Sequence, residues 1–80
     1  MKLPRDISGR KLSKLLKKYG YSVTRQTGSH VRLTTAQNGE HHITIPDHVE
    51  LRLGTLNAIL VDVADHFNLS RDQLIRDLFG

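Results

Sequence analysis

Apolar residues near the start of the chain recur at the spacing of one helix face. The residues that follow this i, i+3, i+4, i+7 pattern are Leu12, Leu15, Leu16 and Tyr19. Ser8 is a typical N-cap residue, and Gly20 is typical of the position just beyond a helix end. The pattern therefore predicts a helix over residues 8–20, SGRKLSKLLKKYG.

The middle of the chain alternates between apolar and polar positions, which is the two-residue period of a β-strand. Strands are predicted at residues 21–26, 30–35 and 41–46. TGS marks the first turn, and Asn38-Gly39 in the second is a strong hairpin signal. Three strands joined by two short turns make an antiparallel meander.

The alternation also predicts which residues share a face of the sheet. In the first strand, Tyr21, Val23 and Arg25 point one way. The apolar face of the other two strands comprises Val31, Leu33, Ile43 and Ile45. Their polar face comprises His30, Arg32, His42 and Thr44.

Helical spacing returns over residues 55–67 and 70–79, and Ser70 and Gln73 have the spacing of a capping box. The order α-β-β-β-α-α predicts an α+β fold, a two-layer sandwich in which helices cover the apolar face of the sheet. The polar face is left open to water or to a ligand.

Length and composition narrow the possible functions. Eighty residues predict a single domain, residues 1–80, with Met1 to Ile7 as a short arm. The chain has no cysteine, which excludes disulfides and thiolate metal sites. No apolar run approaches the ~20 residues of a membrane span, so we expect a soluble cytoplasmic protein with no membrane partner.

The charge balance favours a polyanionic partner. Lys and Arg number 12 against 8 Asp and Glu, for a net charge of +4. On the first helix the basic side chains opposite the apolar stripe are Arg10, Lys14, Lys17 and Lys18. Contact with phosphates and simple solvation of the helix are about equally compatible with this face.

Gly28, Ser29 and His30 stand together where the second strand begins. They could form only a hairpin turn with an incidental polar residue, or a rigid turn that holds a catalytic imidazole. His41 and His42 do not suggest a metal site, because adjacent strand residues point to opposite faces. We therefore expect neither a metal nor a small-molecule cofactor.

Several segments resemble the HicA (YcfA-like) family of small toxins. They are GSHVRL at 28–33, TIPDH at 44–48, GTLNAIL at 54–60 and LSKLLKKYGYSVTRQ at 12–26. The resemblance covers roughly residues 8–79. It implies a fold like that of double-stranded-RNA-binding domains, cleavage of mRNA, inhibition by a HicB-type antitoxin, and a catalytic role for His30. Asn57 departs from the basic residue that many relatives carry there.

An imidazole at position 30 suits metal-independent RNA cleavage, because its pKa near neutrality allows proton transfer to or from the 2′-hydroxyl or the 5′-oxygen. Gly28, Ser29 and Arg32 would bind the RNA beside it, and Arg32 would stabilise the phosphate charge. His42 is a candidate for the complementary proton transfer if the strand register brings it to His30. The alternatives are a non-catalytic RNA-binding module and a domain that only binds an acidic protein such as the antitoxin.

Overall fold

The computed structural model describes residues 2–80. In chain order the elements are α1 (Gly9–Leu15), a 3₁₀ turn (Leu16–Tyr19), β1 (Ser22–Thr27), β2 (His30–Thr35), β3 (His41–Pro46), α2 (Leu53–His66) and α3 (Arg71–Phe79). This confirms the predicted α+β order. The start of α2 was predicted two residues too late. None of the helices in the described range is long and apolar enough to cross a membrane.

The helix ends follow the chemistry of their cap residues. The Ser8 hydroxyl accepts a hydrogen bond from the Lys11 backbone N–H at 3.0 Å, which caps α1. Gly20 takes the left-handed conformation, with φ +82°, and ends the 3₁₀ turn. Ser70 and Gln73 form the predicted capping box at the start of α3.

The three strands form an antiparallel sheet in the order β1-β2-β3. The predicted apolar face is confirmed, because the four aliphatic side chains of β2 and β3 on this face are buried. All three helices contribute to the core against that face. The fully buried side chains of the helices and of the 3₁₀ turn include Leu12, Leu16, Leu56, Leu60, Val63 and Leu74.

A β-bulge in β1 overturns the predicted alternation of that strand. Val23 lies opposite Leu33 on the helix side, but the register shifts before Arg25, which lies opposite Arg32 on the open face. The extra residue is Thr24, whose hydroxyl lies 2.9 Å from that of Thr34 on the same open face. A bulge adds one residue to a strand, so every side chain beyond it changes face.

The segment before α1 is an arm docked on the core. It has no helix or strand over the described residues 2–7. Leu3 and Ile7 pack against the core, and the Ile7 carbonyl accepts a hydrogen bond from the Leu51 N–H at 2.7 Å. Met1, the first residue of the predicted arm, lies outside the described residues.

Candidate functional site

The turn before His30 is fixed by the pairing of the strands that it joins and by a hydrogen bond from the segment after β3. Gly28 and Ser29 form a two-residue loop between the paired residues Thr27 and His30. Gly28 has φ +58°, and a Cβ there would meet nothing within 4 Å, so the backbone conformation rather than lack of space favours glycine. The Asp47 N–H donates to the Ser29 carbonyl at 2.6 Å. His30 is therefore fixed as the first residue of β2.

The imidazole of His30 is exposed on the open face of the sheet, and no hydrogen bond engages it within residues 2–80. His41, His42 and His66 differ, because each ring is held by hydrogen bonds to other groups. His48 also has a free ring, but it lies outside the sheet, in the segment after β3. His30 is thus the sheet histidine whose ring is available to a ligand.

Two arginines lie beside His30 on the same face. Arg32 is two residues along β2, about 7 Å from His30. Arg25 lies directly opposite Arg32 because of the bulge, and neither is ion-paired within the described part of the chain. Like charges directly opposite one another destabilise a sheet. A bound anion between the two guanidinium groups would remove that repulsion.

The strand register does not bring His42 to His30. His42 lies opposite Thr34, whereas His30 lies opposite Pro46, which separates the two histidines by about 13 Å along the sheet. Both ring nitrogens of His42 are engaged, Nδ1 with the Thr34 hydroxyl at 2.7 Å and Nε2 with a Glu40 carboxylate oxygen at 3.1 Å.

A family model described as the HicA toxin of bacterial toxin–antitoxin systems matches residues 9–64. The chain belongs to the HicA toxin family. It is therefore the toxin of a toxin–antitoxin system, its partner is an antitoxin, and toxins of this family are generally ribonuclease-like. The α+β fold is consistent with the double-stranded-RNA-binding-domain-like fold of HicA. No curated protein and no solved structure gives a significant match.

The basic residues of α1 and of the 3₁₀ turn in this HicA toxin do not form one cluster. Arg10 reaches the His30 end of the sheet, where its Nε lies 3.4 Å from an Asp47 carboxylate oxygen. Lys14 and Lys17 follow along the helix beside β1. The Lys18 ammonium is 2.5 Å from an Asp77 carboxylate oxygen, so Lys18 ties the helix to α3.

Asp77 has a further partner, since it also accepts a hydrogen bond from the Tyr19 hydroxyl. The hydrogen bonds from Lys18 and Tyr19 lower the pKa of the Asp77 carboxyl. The predicted RNA-binding role of Lys18 therefore competes with a structural contact that the sequence pattern did not reveal.

A second polar network lies between the sheet and α2. The Tyr21 hydroxyl is 2.6 Å from Nδ1 of His41, and Nε2 of His41 is 3.1 Å from an Asp62 carboxylate oxygen. His66 stacks on His41 with ring centroids 4.4 Å apart. Burial, and then the charge of Asp62, raises the pKa of Tyr21 to about 12.

This network joins β3 to α2 through the contact of His41 with Asp62, and the Tyr21 side chain at its other end is only 1% exposed. As predicted, His41 and His42 lie on opposite faces of the sheet. Within residues 2–80, no group of three or more His, Asp or Glu side chains is placed to hold a metal ion. At the departure noted in the sequence, Asn57 accepts a hydrogen bond from Arg71 and so joins α2 to α3.

Proposed function

We propose that this toxin is a metal-independent endoribonuclease that cleaves mRNA, with His30 as its catalytic general base or general acid. The observation that carries the proposal is the free, exposed imidazole of His30 on a turn fixed by the Asp47 N–H. Proton transfer by a positioned side chain contributes typically ~10²–10⁴-fold in rate.

RNA carries its own nucleophile for this reaction. The 2′-oxygen attacks the adjacent phosphorus as its proton leaves, the bond from phosphorus to the 5′-oxygen breaks, and the departing 5′-oxygen gains a proton. The products are a 2′,3′-cyclic phosphate and a 5′-hydroxyl. His30 carries out one of the two proton transfers. His42 is left out of the reaction, because the register holds it about 13 Å away.

Arg32 and Arg25 supply the positive charge that the reaction needs. The phosphate gains charge on its oxygens as the 2′-oxygen attacks, and fixed cations beside it stabilise that charge. An unpaired cross-strand arginine pair beside His30 supports an anionic substrate at this face. Gly28 and Ser29 position the imidazole and bring the backbone close to the RNA.

The basic side chains of α1 and of the 3₁₀ turn extend this surface around the end of the sheet. We propose that Arg10, Lys14 and Lys17 bind phosphates that flank the cleaved bond, and that Lys18 does so only where its contact with Asp77 opens. Such contacts are independent of base sequence and weaken as salt rises.

We also propose that the partner is a HicB-type antitoxin and that the toxin acts in the cytoplasm on mRNA. Residues 1–80 would act as one HicA-like domain. The packing of α3 supports this extent, because Leu74, Ile75 and Leu78 are buried in the same core as the residues matched by the family model.

The chemistry is tested with purified toxin, EDTA and two RNAs of one sequence, one unmodified and one 2′-O-methylated throughout. We expect cleavage of the unmodified RNA alone, leaving a 2′,3′-cyclic phosphate. Cleavage of the methylated RNA would contradict the use of the 2′-hydroxyl as nucleophile. Salt-dependent binding of both RNAs without cleavage would favour the alternative of a non-catalytic RNA-binding module.

A further inference from the structure

A groove of about 280 Å³ runs between α1 and the edge strand β1. Its apolar floor is formed by Val23, Val31 and Leu33, and the side chains of Lys14 and Lys17 line its helix side. The groove is distinct from the open face that carries His30, because its floor belongs to the helix side of the sheet.

The groove leaves an aliphatic side chain uncovered on a strand edge. Val23 is 55% exposed, although it shares a face with Leu33, which is 1% exposed. No helix covers this part of the sheet in the described chain, and β1 has no neighbouring strand on its outer side. An uncovered strand edge with apolar residues is a typical site for pairing with another chain.

The positive charges beside the groove floor favour binding of an acidic segment. Lys14 and Lys17 have no carboxylate partner within residues 2–80, whereas Arg10, at one end of the groove, is paired with Asp47. Two free ammonium groups above an aliphatic floor match a segment that alternates carboxylates with aliphatic side chains.

The floor suits a protein segment better than RNA. Binding of unpaired bases relies on exposed aromatic rings, on which the bases stack. The aromatic residue at this groove is Tyr21, which is 1% exposed and whose hydroxyl is engaged by His41. Aliphatic Val23 offers apolar contact area but no stacking surface.

We propose that this groove is the docking surface for an acidic segment of the antitoxin, which lies along β1 with an aliphatic side chain over Val23 and carboxylates at Lys14 and Lys17. The inference rests on the role of the chain as the toxin of a toxin–antitoxin system, and it specifies which surface of the toxin the antitoxin binds. Asp47 lies at the end of the groove and also holds the Ser29 carbonyl. The docked segment therefore ends beside the turn that carries His30.

The test compares Val23→Lys with Val61→Lys, both binding the purified cognate antitoxin. Val61 is the matched control, since it is an exposed valine, 37% exposed, on α2 and outside the groove. Val23→Lys places a charge on the apolar floor, so we expect affinity for the antitoxin to fall about tenfold or more, whereas Val61→Lys leaves it unchanged. An added lysine does not weaken attraction for RNA, so Val23→Lys keeps its RNA affinity.

Hydrogen exchange of the wild-type complex provides a readout that does not depend on the folding of a variant. We expect the antitoxin to slow exchange of the β1 amides of the wild-type toxin. Protection confined to other surfaces, or equal antitoxin affinity of the two variants, would overturn the inference. A failure of this test would concern the antitoxin surface alone and would not affect the proposed ribonuclease activity. Conversely, absence of RNA cleavage by the wild type would refute the proposed function without changing the result of the antitoxin-binding test.

Discussion

Replacing Gly9 with alanine tests whether α1 packs closely against the end of β3, next to the turn that carries His30. A Cβ at Gly9 would stand 2.0 Å from the Pro46 carbonyl oxygen, which belongs to the backbone and cannot rotate away. The Gly9 N–H also donates to the His48 carbonyl at 2.9 Å. Relieving the clash requires α1 to move away from the segment that follows β3.

The expected change in the free energy of unfolding for Gly9→Ala is the sum of three contributions. Overpacking costs typically ~1–3 kcal/mol, and weakening the hydrogen bond from the Gly9 N–H to His48 costs about 1 kcal/mol more. Alanine regains at most about 1 kcal/mol through its higher helix propensity. The sum for Gly9→Ala is a loss of about 2 kcal/mol in the free energy of unfolding, which lowers Tm by roughly 8–16 °C in a domain of this size.

Gly54→Ala is the matched control. Gly54 also lies in a helix, but a Cβ there would meet nothing within 4 Å. We expect its stability to be unchanged or raised by up to about 1 kcal/mol. Urea and thermal unfolding followed by circular dichroism measure both variants. Equal stability of the two variants would refute the close contact between α1 and the segment after β3.

Three further predictions concern the substrate face, the core and the tyrosines. Arg25→Ala should weaken RNA binding and reduce its salt dependence by about one phosphate contact. The control is Arg76→Ala, at an exposed position of α3, and both variants are measured by filter binding. Equal effects of the two substitutions would contradict the placement of Arg25 on the RNA-binding face by the bulge. Thr35→Val should cost about 1–3 kcal/mol in urea unfolding, because the buried Thr35 hydroxyl donates to the Tyr19 carbonyl at 2.7 Å; an unchanged midpoint would count against it. Burial above all raises the pKa of both Tyr19 and Tyr21 from 10.0 to about 12, so the stability they contribute is complete below pH 10 and is lost as the pH rises towards 12. Tyrosinate absorbance should rise only near pH 12, and a rise near pH 10 in the folded toxin would contradict the raised pKa of the two tyrosines.

The sequence predicted the fold well, because each element carries its own local signal. The cap at Ser8 and the alternation of β2 and β3 depend on nearby residues and agree with the structure. The stripe predicted for one helix is divided between α1, which ends at Leu15, and the 3₁₀ turn that follows it. The bulge in β1 has no such signal, since Thr24 is an ordinary strand residue whose extra position depends on pairing with β2.

The candidate site was therefore predicted only in part. His30 and Arg32 were placed on the open face from β2 alone. Arg25 was missed because the bulge reverses its face. The separation of His42 from His30 depends on the register between strands, and the contact of Lys18 with Asp77 joins residues far apart in the chain, so neither follows from local patterns.

The most direct measurement of the central claim is cleavage of RNA in EDTA by wild-type toxin, His30→Ala and His48→Ala. His48 is the matched control, because it is an exposed histidine outside the sheet. We predict that the wild type and His48→Ala cut, and that His30→Ala binds RNA with similar affinity but cuts at least about 100-fold more slowly. Cleavage by His30→Ala at the wild-type rate would contradict the assignment of His30 as the catalytic residue.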